Sequence, residues 1–301
     1  DSHAPLRYFE DVEPIHLYLN APYGDMSEAD LKGAQKVELD QLEQAIVDAK
    51  PNVIQGAEPF GSRLSFKLAQ ICMRAAKKSN AALIVPILEN RPLAERFNLA
   101  QRAVLKLFCP GYFNQAKAIV FLNKGARTNV IHYAPRAKLV TGIVWGVWGV
   151  DTELFKPTDE KEKGSMIYAG RWIEDKGIAY MLEGFAQAKK ELDYLSLKLC
   201  GQGPYEKFMR VFVEENKLTD CVEFIGQVKN TQLPKYFSQA ELCIYPSITQ
   251  KRWEEQVGTV NFQAMACETP VLTTKSGAIP EYLAGTEGAI LVPERDAQAI
   301  A

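Results

Sequence analysis

Residues 241–274 read ELCIYPSITQKRWEEQVGTVNFQAMACETPVLTT, a strand, a loop, a helix and a second strand in outline. The run ELCIYPS (241–247) is short and mostly apolar, and Pro246 leads the chain out of it. Gly258 opens an apolar, helix-like segment over 259–267, which Pro270 separates from the strand-like PVLTT (270–274). Apolar runs without polar alternation suit parallel strands covered on both faces. A helix joining two such strands forms a right-handed crossover.

The same alternation extends outward over the chain. From residue 15 the strand candidates are IHLYLN (15–20), NVIQGA (52–57), ALIVPIL (82–88) and AIVFLN (118–123). The pattern predicts helices over about 27–50 (Leu39, Leu42 and Ile46 on one face), 62–79 and 93–107, and another after AIVFLN. A break falls at GVDTELFKPTDEKEKGS (149–165), where the charged TDEKEKG reads as an exposed linker. A second series follows: SMIYAG (165–170), LSLKLCG (195–201), VEFIG (222–226), the quoted unit and AILVP (289–293). This predicts two α/β domains, 1–157 and 158–301, each a Rossmann-like doubly wound parallel sheet. In tandem they leave a cleft facing the carboxyl ends of their strands, where such sheets bind ligands.

Composition narrows the class. A chain of 301 residues with 47% hydrophobic and 24% charged residues can bury two cores. The net charge of −2 supplies no global field toward nucleic acid. No apolar run approaches the roughly 20 residues of a membrane span, and no signal peptide opens the sequence. Cysteines 72, 109, 200, 221, 243 and 267 are scattered without a CxxC pair, so reduced thiols are expected. With His3, His16 and His132 as the only histidines and no ligand cluster, a zinc site is not expected. These features predict a cytosolic protein without a structural metal. Asp1 is not an initiator and the final PERDAQAIA reads as a helix barely begun, so both ends are expected to be cut.

Several strand ends in the second half carry glycine or charge. Arg171 follows SMIYAG, and Lys176-Gly177 stands where the next helix should start. A guanidinium and an ammonium beside a helix N-terminus form an anion site, although solvated loop residues would read the same. Gly201 and Gly203 in LCGQGPYEKF suit a tight turn as well as a ligand; a dinucleotide fingerprint would place a third glycine at Glu206, so NAD is not expected. The free N–H groups of Gly258, Thr259 and Val260 would face a ligand phosphate. Glu255 can accept hydroxyl hydrogen bonds from a polyol, and Gln263 lies deeper, where Phe262, Met265 and Ala266 are expected to face the core. SGAIPEYL (276–283) repeats the pattern, with Pro280 and Glu281 in a helix's first turn.

Taken in order, WGVDTELFKP (148–157), AGRWIEDKGI (169–178), CGQGP (200–204), VEFIGQV (222–228), YPS (245–247), EQVGTVNFQAMACETPV (255–271) and SGAIPEYL resemble one family. It is the retaining GT-B glycosyltransferases of the "glycosyl transferases group 1" class, family four type. Over 15–147 the resemblance rests on PNVIQGAEPFGSR (51–63), AIVFLNKGA (118–126) and LVTGIVWGV (139–147). It implies an acceptor-side domain over 1–157, short of its first strand and Gly-rich loop. It also implies a nucleotide-sugar domain over 158–301, short of its closing helix. The two would face each other across a cleft.

Residue by residue, the resemblance implies that Gly170, Arg171 and Lys176 grip the donor diphosphate in place of a metal. Gly201, Gly203, Gly258, Thr259 and Val260 would line the donor. Glu255 would hold hydroxyls of the donor sugar. Gln263 takes the place of the family's second glutamate, which binds the nucleotide ribose, and Glu268 stands where glycine is usual. In the first half LIVPILENRP (83–92) offers Glu89 and Asn90 where many members carry a histidine, so Glu89 joins Glu255, Arg171 and Lys176 as a catalytic candidate.

The implied activity is metal-independent hexosyl transfer with retention, from a uridine or guanosine diphosphate sugar. No cofactor is implied. The acceptor would be a glycan, lipid-linked or small-molecule hydroxyl, and nucleic acid is not implied. The implied location is the cytoplasm, with peripheral contact at the inner membrane face left open. Two other readings stay open: a nucleotide-sugar-binding protein without turnover, and a GT-B-fold epimerase or phosphorylase.

Overall fold

A computed structural model describes residues 13–19, 34–137 and 149–301. The chain forms two compact units. The first comprises 1–89, 97–122 and 126–148; the second takes 149–301 and two short segments, 90–96 and 123–125.

In the first unit β1 (His16–Tyr18) pairs in parallel with β2 (Ala34–Lys36), apart from a three-stranded parallel sheet. That sheet runs β3 (Val53–Gln55), β4 (Ala82–Ile87), β5 (Ala118–Phe121), with α1 (Leu42–Asp48), α2 (Arg63–Ser79), α4 (Leu99–Gln115) and α5 (Lys124–Tyr133) around the strands. The short helix α3 (Leu93–Arg96) belongs to the second unit.

Two helix expectations are corrected here. The long helix placed over about 27–50 is, in its described part, β2 followed by the seven residues of α1; positions 27–33 lie outside the described residues. Strand pairing wins because the N–H of Val37 donates to the Tyr18 carbonyl at 2.9 Å while its side chain packs on Leu42 and Ile71. The helix expected over 93–107 is two helices. Asn98 caps α4: its side chain accepts from the Gln101 N–H at 2.9 Å, and Gln101 Oε1 accepts from the Asn98 N–H at 3.0 Å. This reciprocal cap restarts the helix.

The second unit is a six-stranded, wholly parallel sheet. Its strands are β6 (Ser165–Ala169), β7 (Ser196–Cys200), β8 (Val222–Gly226), β9 (Leu242–Tyr245), β10 (Val271–Thr274) and β11 (Ala289–Val292). They lie in the order β11-β10-β9-β6-β7-β8. The connecting helices are α6 (Ile178–Glu191), α7 (Glu206–Glu215), α8 (Leu233–Gln239), α9 (Thr259–Ala266) and α10 (Ile279–Leu283), with α11 (Ala297–Ile300) after β11.

Consecutive strand residues Ile167, Tyr168 and Ala169 are all buried, as are Cys243, Ile244 and Tyr245, because helices cover both faces. Met181, Leu182, Phe185, Met209, Val213 and Phe237 close the core from the helices. Each such side chain stabilises the fold by about 1.5–3 kcal/mol through removal from water. Five of the six thiols are buried and all are unpaired; burial pushes the Cys200 thiol up to about 12.

Residues 149–157, assigned by sequence to the first domain, fall in the second unit. Phe155 is the reason: it is buried in this core, its ring 6.4 Å from that of Phe237. The charged run after it is exposed as expected but lies along the second unit, with Glu162 paired to Lys198 at 2.6 Å.

Starting at β6, the chain first moves one way through β7 and β8, then crosses to β9 on the other side of β6 and continues to β11. The direction reverses between β6 and β9, outside whose carboxyl ends a doubly wound sheet forms its crevice. Ligands of doubly wound sheets bind at such a reversal.

Candidate active site at the carboxyl ends of the second sheet

Ile167 of β6 lies opposite Cys243 of β9, so the two strands leave the sheet side by side at Ala169 and Tyr245. After β6 the chain passes Gly170 and Arg171, makes a 3-10 turn over Glu174–Lys176 and enters α6 through Gly177. Gly177 has φ +64°, and a β-carbon there would sit 2.0 Å from the Pro246 carbonyl oxygen. Only glycine lets this turn press against the end of β9.

That approach delivers Lys176 into the crevice. Its ammonium is buried, 2.7 Å from Glu255 Oε2 and 2.7 Å from the Tyr245 hydroxyl. The rings of Trp253 and Tyr245 stand 4.5 and 5.1 Å from it, within cation–π range. Burial holds the lysine below its ordinary value, against the opposing pull of Glu255. Among the described residues two of its three N–H donors are engaged, which leaves the third for a ligand oxygen.

Glu255 is held from several sides. Its Oε2 accepts from Lys176, from the Tyr245 hydroxyl at 3.1 Å and from Ser247 Oγ at 2.9 Å. Its backbone carbonyl accepts from the Ala278 N–H and from Asn90 Nδ2, each at 2.9 Å. A β-carbon on Gly277, at φ +52°, would lie 2.1 Å from that same carbonyl oxygen, so this glycine too is required by close approach. Burial, and then the charge of Glu255, push the Tyr245 phenol well above the ordinary range, so it remains a neutral donor.

The loop between β9 and α9 is pinned independently. The Ile248 N–H donates to the Asp175 carbonyl at 2.9 Å, and Thr249 donates through its N–H and Oγ1 to the Glu294 carboxylate at 2.6 and 2.7 Å. Gln250 and Trp253 close a tight turn with Lys251 and Arg252 exposed at its tip. Gly258 starts α9, and no side chain caps that end, so the first-turn N–H groups keep their capacity for an anion.

Of the residues singled out by sequence, the structure brings Lys176 and Glu255 into direct contact. Arg171 follows β6 after Gly170 and is exposed. The spaces that β-carbons on Gly201 and Gly203 would fill are taken by the Gly170 and Trp172 carbonyl oxygens, at 1.9 and 2.3 Å, so close turn packing accounts for both glycines.

Gln263 stands differently from expectation. The fully buried residues of α9 are Asn261 and Ala264, whereas Phe262, Met265 and Ala266 are half-buried. Gln263 is half-exposed, with Nε2 3.4 Å from Asn230 Oδ1. Asn261 and Ala264 turn fully inward, while Phe262, Met265 and Ala266 pack against the core as expected, though only partly buried. Glu89 belongs to the first unit and is buried; its N–H donates to Glu58 Oε1 at 2.7 Å and its carbonyl accepts from Asn129 Nδ2 at 2.8 Å.

Tyr245, Ser247 and Trp253 were missed as site residues. Their one sequence signal was position: they end β9 or follow it on the loop leading to Glu255. Among the described residues, no group of three or more His, Cys, Asp or Glu side chains gathers as metal ligands would. Nor is any described helix long and apolar enough to cross a membrane.

Comparison with known proteins adds to this geometry. The family model described as "Glycosyl transferases group 1" matches residues 150–301. The putative colanic acid biosynthesis glycosyltransferase WcaL of Salmonella typhimurium is 31% identical over 157 residues, 51% of this chain and 39% of that protein. A GDP-mannose-dependent alpha-(1-6)-phosphatidylinositol monomannoside mannosyltransferase of Mycobacterium tuberculosis is 25% identical over 166 residues, 51% of this chain and 43% of that protein. These matches span about two-fifths of the relatives' lengths.

Among solved structures, Anabaena Alr3699/HepE in complex with UDP superposes with a TM-score of 0.67 at 14% identity, covering 91% of this chain and 76% of that one. Sucrose-phosphate synthase from Thermosynechococcus elongatus gives 0.63 at 19% identity, covering 93% and 70%. At such identities the likeness establishes the fold, which is that of the GT-B class.

Proposed function

The chain belongs to the glycosyl transferases group 1 family, and we propose that it transfers a hexosyl group from a nucleoside-diphosphate sugar to an acceptor hydroxyl. The observation that carries this reading is the buried Lys176–Glu255 pair at the reversal between β6 and β9. It places a cation for the diphosphate and an acceptor for sugar hydroxyls in one crevice.

As the bond from the anomeric carbon to the diphosphate breaks, negative charge grows on the leaving group. Lys176, Arg171 and the open N–H groups at the start of α9 oppose that charge, so the site needs no metal ion and no cofactor for this task. Glu255 accepts from the sugar and orients it, and the acceptor oxygen attacks from the face the diphosphate leaves, which retains the anomeric configuration. The names of the relatives, a putative colanic acid biosynthesis glycosyltransferase and a phosphatidylinositol monomannoside mannosyltransferase, support a glycan or lipid-linked acceptor.

A second reading, donor binding without turnover, draws on Gln263, an amide half-exposed beside Asn230. One experiment separates the two. The protein is incubated with UDP-glucose or GDP-mannose and a panel of glycan and lipid-linked acceptors, with EDTA present. Transfer that survives chelation, with an α-configured product by NMR, supports the first reading. Activity abolished by EDTA and restored by Mn²⁺ refutes the assignment of Lys176 and Arg171; binding with no product over the whole panel supports the second.

A further inference from the structure

Glu255 has two carboxylate oxygens, and the structure treats them unequally. Lys176 Nζ, the Tyr245 hydroxyl and Ser247 Oγ all donate to Oε2, at 2.7, 3.1 and 2.9 Å. None of the hydrogen bonds of Glu255 among the described residues reaches Oε1. Nor is Oε1 one of the sealed polar atoms without a partner, and the side chain keeps 11% of its surface accessible. One oxygen is saturated by the protein; the other is left open.

We propose that Tyr245 and Ser247 are positioning residues of the donor site: by occupying Oε2 they fix the carboxylate plane and leave Oε1 as the oxygen that receives a sugar hydroxyl. This rests on the donor-site reading above and adds to it a division of labour within one side chain. A carboxylate oxygen has room for about two strong acceptor contacts, so three donors at Oε2 leave a ligand hydroxyl little to gain there.

The placement follows from the fold. Tyr245 is the last residue of β9, and Ser247, two positions on, projects to the same side of the chain, as alternation requires. Both are buried and anchored through their carbonyls, Tyr245 to Thr273 Oγ1 at 2.7 Å and Ser247 to Thr274 Oγ1. Neighbouring β10 therefore holds the two residues that hold Glu255. Ser247 Oγ reaches the carboxylate and the Tyr245 hydroxyl, whereas it is Tyr245 that accepts from Lys176.

That difference sets the test. Dissociation constants for UDP and UDP-glucose, and for GDP and GDP-mannose, are measured by calorimetry on the full chain. The ratio of nucleotide to nucleotide-sugar constants isolates what the sugar adds, and a purely structural role would not change it selectively. In Ser247→Ala the ratio should fall about three- to tenfold while the nucleotide alone binds within twofold of wild type. Tyr245→Phe should lower the ratio comparably and also weaken the nucleotide, because its hydroxyl touches Lys176. Glu255→Gln, the reference, should lower the ratio at least as far.

Should Tyr245→Phe fail to fold, Ser247→Ala carries the test. An unchanged ratio in Ser247→Ala, with a reduced one in Glu255→Gln, overturns the proposal and leaves the donor site standing. Equal losses for nucleotide and nucleotide sugar in Ser247→Ala also overturn it, since they report a structural defect. A wild-type protein that binds none of the four probes overturns the donor-site reading itself, and this proposal with it.

Discussion

Replacing Glu255 by glutamine keeps the side chain's shape and removes its charge, which leaves the Lys176 ammonium buried without a counter-ion. The side chains of the pair are only 8% and 11% exposed, so solvent does little to screen the loss. Breaking a buried pair from one side costs about 3–5 kcal/mol. The lower figure applies here, because the Tyr245 hydroxyl still accepts from Nζ. For a unit built mainly of Gly149–Ala301, about 3 kcal/mol corresponds to a fall of roughly 6–12 °C in the midpoint of its unfolding.

The loss should depend on pH, with a definite sign. Lys176 already titrates below its ordinary 10.5 in the folded protein, chiefly through burial, while the charge and hydrogen bond of Glu255 pull the other way. Between the folded value and 10.5 the unfolded chain binds more protons, so stability rises with pH across that window. Removing Glu255 lowers the folded value further and extends the window downward. The gap between Glu255→Gln and wild type should therefore be widest near neutral pH and narrow as pH rises.

Calorimetric scans from pH 7 to pH 9.5 on Glu255→Gln, Lys176→Met and the double variant check this. The double variant should recover at least half of the loss, because the stranded charge is gone. A double variant as unstable as Glu255→Gln, or a gap that does not change with pH, would refute the reasoning.

Two further predictions concern the ligand. Arg171→Ala should weaken binding of UDP or GDP by roughly ten- to a hundredfold, since a charge-assisted hydrogen bond contributes about 1.5–3 kcal/mol. The unfolding midpoint should not move, because Arg171 is exposed; an unchanged affinity would remove it from the diphosphate site. Gln263→Glu should tighten binding of a ribonucleotide by about 1 kcal/mol through a charged acceptor, and leave a 2′,3′-dideoxynucleotide unaffected. The half-exposed position makes a stability loss in the free protein small. Equal changes for ribo- and dideoxynucleotides in titrations would place Gln263 away from the ribose.

The alternation of apolar runs with helical segments was legible because strands covered on both faces must be apolar throughout, and that constraint is local. Boundaries in the second half accordingly fall within a residue or two of those read from sequence, as in β8 at Val222–Gly226 and α9 at Thr259–Ala266. The described part of 27–50 was misread because a pairing with β1, distant in sequence, competes with local helix periodicity. Asn98 was a legible signal passed over: its capping box with Gln101 divides what periodicity alone joins.

At the site, charge and position after a strand end sufficed to nominate Lys176 and Glu255 one at a time. That they lie 2.7 Å apart, buried, and share one oxygen with Tyr245 and Ser247 follows from the adjacency of β6 and β9. No short-range pattern encodes that adjacency: more than 70 residues separate the two strands, and β7 and β8 lie between them in the chain. Sequence by itself determined which residues could carry charge at a strand end. Tertiary structure decided which of them meet, because strand order is selected by how the whole sheet buries its faces.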